Sequence, residues 1–78
     1  MQLRINWQFP RCVHMRERMH LRVISQYEVG EAIRCGQKRK QRTHIWEVRH
    51  RDYSIVYEER LWQHQNIRKV YPITVKLW

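Results

Sequence analysis

Seventy-eight residues allow one domain and no second, and a chain this short buries only about 60% of the surface its unfolded form exposes. Hydrophobic residues at 42% and aromatic residues at 12% exclude a disordered chain. Sixteen Lys and Arg against seven Asp and Glu leave a formal charge of +9, and twelve of the cations are Arg, whose planar fork pairs with phosphate, so the balance points to nucleic acid.

Leu3, Ile5, Trp7 and Phe9 alternate with Gln2, Arg4, Asn6 and Gln8, the period of a half-buried strand, which Pro10 ends. A helix is predicted over residues 11–22. Cys12, Met15 and Met19 recur on one face at three- and four-residue intervals, and Arg11, His14 and Arg18 recur on another. Ser25 with Glu28 forms a capping box, stapled by Ile24 and Val29, so a second helix starts at Ser25. Val29, Ala32 and Ile33 bury one of its sides, and Gly36 terminates it.

Residues 37–42 read as a basic loop. A strand over 43–49 carries Ile45, Trp46 and Val48, and 49–52 make a turn. Tyr53, Ile55 and Tyr57 share one side of the next strand, and 60–65 form a polar connection. The last strand covers 67–77, with Ile67, Tyr71, Ile73, Val75 and Leu77 on one face. Pro72 lacks an amide donor, so that strand is expected to bend, bulge or lie at an edge. The order β-α-α-β-β-β over residues 1–78 is a single α+β domain, with two helices packed on one face of a mostly antiparallel sheet.

No apolar run approaches the roughly 20 residues of a membrane-spanning helix. The alternation over residues 1–9 also argues against a signal peptide. Cys12 and Cys35 are too few for a disulfide framework, and reduced, buried or half-buried thiols in a cytoplasmic protein are expected. Cys12, His14, His20 and Cys35 lack the paired spacing of zinc ligands, so neither metal nor cofactor is expected.

The run His14-Met15-Arg16-Glu17-Arg18-Met19-His20-Leu21-Arg22-Val23-Ile24-Ser25 resembles a signature of small bacterial domains, roughly H-A-x-x-R-M-x-x-R-x-I-S. His14, Arg18, Met19, Arg22, Ile24 and Ser25 match it, and Met15 replaces the usual small residue. Those domains resemble BrnT- and RelE-like toxins and, more distantly, the barnase–EndoU–colicin–RelE ribonuclease superfamily. The resemblance implies a metal-independent endoribonuclease, the toxin of a toxin–antitoxin pair, with RNA and an acidic antitoxin as partners. Catalytic residues diverge across that superfamily, and only His14, Arg18 and Arg22 inherit a place from the motif.

Metal-free RNA cleavage needs a base for the ribose 2′-OH, cations for the phosphorane and an acid for the leaving oxygen. His14 and Arg18, four residues apart on a helix, stand side by side and are the first candidates. The bland alternative has His14 capping the core while Arg18 pairs with Glu28 or Glu47. His44, on the strand after the basic loop, is placed to meet His14 across the sheet or else faces solvent. Lys38, Arg39, Lys40 and Arg42 of the loop, Arg22 at the helix end, and Arg68 and Lys69 of the last strand are candidate phosphate contacts. Arg22 is equally suited to stabilise the helix's terminal carbonyls. RelE-like enzymes carry functional residues on the final strand, where Tyr71 projects opposite Arg68 and is assigned to the core. Trp62 and Trp78 can stack bases, although core filling or interface burial suits them better. A noncatalytic basic module that binds nucleic acid, or docks on an acidic protein, fits the same charge. The apolar tail 73–78 suits docking or a homo-oligomer.

Overall fold

Alternating and helical periods both survive into the structure, with one strand more than they announce. The computed structural model describes residues 2–7 and 12–77. In chain order these are β1 (Gln2–Ile5), α1 (Cys12–Arg22), α2 (Gln26–Cys35), β2 (Gln37–Arg42), β3 (Ile45–His50), β4 (Tyr53–Trp62), a 3-10 turn (Gln63–Gln65) and β5 (Ile67–Leu77). The strands form one sheet in the order β1-β5-β4-β3-β2. β2 to β5 are an antiparallel meander, and β1 lies parallel to β5. Met15 and Met19 of α1 and Val29, Ala32 and Ile33 of α2 meet Val48, Tyr53, Ile55, Tyr57, Val70 and Val75 on one face of this sheet, the α+β arrangement expected. No helix among the described residues is long and apolar enough to cross a membrane.

The segment read as a basic loop is instead the edge strand β2, exposed at every residue. It carries no apolar alternation because neither of its sides joins the core, and cations on a sheet edge discourage pairing with another chain. β4 likewise runs on through Trp62, past the start of the predicted polar connection. Phe9, Pro10 and Arg11, and with them the junction between first strand and first helix, lie outside the described residues.

The faces of β5 also differ from the predicted set. Val56 is opposite Thr74 but Tyr57 is opposite Pro72, so Ile73 is an extra residue in β5. A one-residue bulge moves every subsequent side chain to the other face. Val70 and Pro72 before it, and Val75 after it, are buried against the helices, while Tyr71 lies half-buried on the opposite face. Pro72 stands beside that bulge and beyond residues 67–70, the part of β5 that pairs with β1. Among the described residues only β4 flanks it there, in keeping with the bend, bulge or edge its missing donor predicts.

α2 starts as its sequence dictates. Ser25 Oγ accepts from the Glu28 amide at 3.1 Å, and Glu28 Oε1 reaches back to the Ser25 amide. Gly36 ends the helix with φ −77° and ψ 172°, an extended conformation open to any residue. The glycine is required by space: a Cβ there would stand 2.5 Å from Val48 Cγ2 and 2.7 Å from the carbonyl oxygens of Ala32 and Arg49. Cys12 is buried with Sγ 3.1 Å from Asn6 O and 3.2 Å from Pro72 O, whereas Cys35, expected to be at least half covered, is exposed.

Candidate nucleic-acid interface

Cross-strand partners share a face, so the registers sort every charged strand residue. Val48, Ile55, Tyr57 and Val70 define the helix-covered face. Lys38 opposite Val48, Lys40 opposite Trp46, and Arg68 beside Leu61 belong to that side. Arg39, opposite Glu47, and Lys69, opposite Arg60, belong to the uncovered side, as does Arg42 opposite Ile45. The predicted phosphate contacts are thus divided between two faces, a consequence of finding a strand where a loop was expected.

On the helix side, Arg68 donates from Nε at 2.8 Å, and from Nη2, to Glu59 Oε1. Burial pulls the Lys38 ammonium below the ordinary lysine range, nearby Arg68 adds to the shift, and Glu59 opposes it. Lys40 Nζ stands 5.9 Å from the Trp46 ring centroid. Beneath this group Tyr57 is fully buried, and its hydroxyl has no hydrogen-bond partner among the described residues. Burial, seconded by Glu59 and opposed by Arg68, pushes the Tyr57 phenol up to about 12.

The uncovered face carries a row of three cations. Arg4 is beside Lys69 and Lys69 is opposite Arg60, across three adjacent strands. Like charges directly opposite one another destabilise a sheet, so stability alone does not favour this row. Arg60 Nε donates to Glu58 at 3.2 Å. Lys69 Nζ lies 4.1 Å over the centroid of Trp62, which is 44% exposed and not the core filler expected. Farther along the same face, burial works against the Glu47 carboxylate. Ser54, Lys76 and Gln41 outweigh it and hold the group below the usual carboxylate range. Lys76 Nζ is 3.3 Å from Glu47 and forms an ion pair with it.

Of the catalytic candidates, His14 and Arg18 are brought together and His44 stands apart. Arg18 Nε donates to His14 Nε2 at 3.3 Å, so the predicted pair exists on the exposed surface of α1. Arg18 pairs with neither Glu28 nor Glu47, which are engaged by the α2 cap and by Ser54 and Lys76. His44 is not on a strand. It stands in the turn between β2 and β3 with φ 65°, and its carbonyl accepts from the Glu59 amide at 2.8 Å. Neither a hydrogen bond nor a ring contact joins it to His14 among the described residues. Among the described residues, surface hollows are lined by residues 61–65, by Gln37, Arg39, Glu47 and Arg49, and by Met19, His20, Val23, Ile24, Ser25 and Glu28, and these do not include His14 or Arg18. Arg22 ends α1 half-buried, and its Nε lacks a partner among the described residues.

Sequence reasoning names Trp62 as able to stack bases but passes over Arg4 and Arg60. Arg4 is visible as the outward residue between Leu3 and Ile5. Arg60 is hidden because residues 60–65 read as a polar connection, whereas β4 runs on through Trp62. Compared with protein-family models, curated proteins and solved structures, the chain matches none of them.

Proposed function

We propose that this protein binds single-stranded RNA through the uncovered face of its sheet. The observation that carries the reading is the Arg4–Lys69–Arg60 row, three cations aligned across β1, β5 and β4 with Trp62 beside them. A phosphate backbone laid along the row releases counterions from itself, and affinity then falls as salt rises. Each phosphate contact on a single strand contributes about 0.7 to the slope of log affinity against log salt. In fluorescence anisotropy with a labelled oligoribonucleotide, Arg60→Ala and Lys69→Ala should each weaken binding and flatten that slope. Binding insensitive to salt, or an acidic polypeptide competing as well as RNA does, would refute it.

A second reading rests on the Arg18–His14 hydrogen bond. With Nε2 accepting from Arg18, a neutral His14 carries its proton on Nδ1. Transfer of the guanidinium to a phosphoryl oxygen would free Nε2 to take the 2′-OH proton. The 2′-oxygen would then bond to the adjacent phosphorus as the P–O5′ bond breaks, leaving a 2′,3′-cyclic phosphate and a 5′-oxygen that takes its proton from water. Wild type should cleave labelled RNA in EDTA and His14→Ala should not. Cleavage that persists in His14→Ala removes His14 from the chemistry.

A further inference from the structure

We infer that the β4–β5 hairpin end is a subsite for one unpaired nucleobase, adjacent to the cationic row; this rests on the RNA-binding reading above. The hollow there measures about 560 Å³, within the range of about 300–1,000 Å³ typical of small-ligand sites, and is lined by Leu61, Trp62, Gln63, His64 and Gln65.

Three properties fit a base and its phosphate together. Trp62 supplies an exposed indole on which any base can stack, while Lys69 holds an ammonium over the same ring. Gln63 and Gln65 flank the hollow with side-chain amides, each both donor and acceptor, as reading a base edge requires. The row Gln2–Ile67–Trp62 lies two residues along the strands from Arg4–Lys69–Arg60, a spacing of roughly 6.6 Å. A base in the hollow therefore keeps its own backbone within reach of the cations.

The hairpin end is also held in advance. The 3-10 turn closes through Asn66, whose φ of 54° suits an asparagine and whose amide donates to Gln63 O at 3.2 Å. The Gln2 amide donates to Asn66 O at 2.9 Å, tying the turn to β1. A turn fixed from both sides loses little freedom when a ligand enters.

The experiment compares a fluorescein-labelled oligoadenylate of ten nucleotides with a labelled RNA duplex of the same length, using wild type, Trp62→Ala, Trp62→Phe and Lys69→Ala. Circular dichroism checks that each variant is folded. Trp62→Ala should lose at least about fivefold in affinity for the single strand, keep its salt slope and leave duplex binding unchanged. Trp62→Phe, which keeps a ring, should recover most of the loss, and Lys69→Ala should reduce the salt slope for both RNAs. Salt-dependent binding by Trp62→Ala at wild-type strength overturns the subsite and spares the RNA reading. Wild type that binds neither RNA in a salt-dependent way overturns both.

Discussion

Two tyrosines on β4, Tyr53 and Tyr57, four residues apart on the same face, should respond in opposite senses to loss of the hydroxyl. Tyr57 is completely buried and its hydroxyl has no partner among the described residues. An unmade hydrogen bond of this kind costs about 1–3 kcal/mol. Tyr57→Phe removes that penalty and leaves a void about the size of one oxygen. At about 24 cal/mol per Å³ and roughly 12 Å³, the void costs about 0.3 kcal/mol. The variant should be more stable than wild type by about 1 kcal/mol. Tyr53 donates to Glu28 O at 3.2 Å, and Tyr53→Phe should lose about 1 kcal/mol. For a domain of this size the two midpoints should differ by about 10 °C, since each kcal/mol moves Tm by about 4–8 °C. Urea titrations followed by far-ultraviolet circular dichroism would give both free energies. A Tyr57→Phe protein less stable than wild type by 1 kcal/mol or more would refute the assignment of an unsatisfied hydroxyl.

The same phenol should govern stability in base. An unfolded tyrosine ionises near pH 10 and folded Tyr57 near 12, so its contribution is intact below 10 and is lost as pH rises through 12, by about 3 kcal/mol; Tyr57→Phe should flatten that decline in pH-dependent urea melts. Tyr53, also raised, chiefly by burial, acts in the same sense, and Lys38, lowered chiefly by burial, acts in the opposite one. Gly36→Ala should cost about 2–3 kcal/mol in chemical denaturation, because two of the three atoms its Cβ would meet are backbone oxygens. Gly30→Ala should instead gain up to about 1 kcal/mol, since the nearest atom is the mobile tip of Arg34 at 3.3 Å; equal losses at the two glycines would contradict this distinction. Val23 holds φ 55° while 87% exposed, so Val23→Asn should relieve backbone strain of about 1 kcal/mol with little packing lost, read as a higher Tm.

Patterns that report burial were legible in the sequence. Cys12, Met15 and Met19 gave α1, the Ser25–Glu28 box gave α2, and the bounds of the last strand are those predicted. Where a segment touches no core, that signal vanishes. β2 is made only of Lys, Arg and Gln, and nothing in it distinguishes an edge strand from a loop. The phase of β5 was misread because a bulge changes which residues face inward without leaving a periodic trace. His44 takes positive φ in a turn without Gly or Asn, so that turn carries no composition cue, whereas the turn at 49–52 and the end of α1 at Arg22 are where the sequence places them. The cationic row lay beyond reach for a different reason: its members come from residues 4, 60 and 69, and only sheet order brings them together.

Because β1 pairs with β5, it has no strand neighbour until residues 67–70 have been synthesised. On a translating ribosome the helices and the β2–β4 meander can form first, while β1 waits as a loose arm. Such distant pairing slows folding. Arg4 joins Lys69 and Arg60 only when residues 60–70 have cleared the exit tunnel. The aligned charges therefore come into being only with the β1–β5 pairing, and a chain emerging before then carries Arg4 and Arg60 as separate cations.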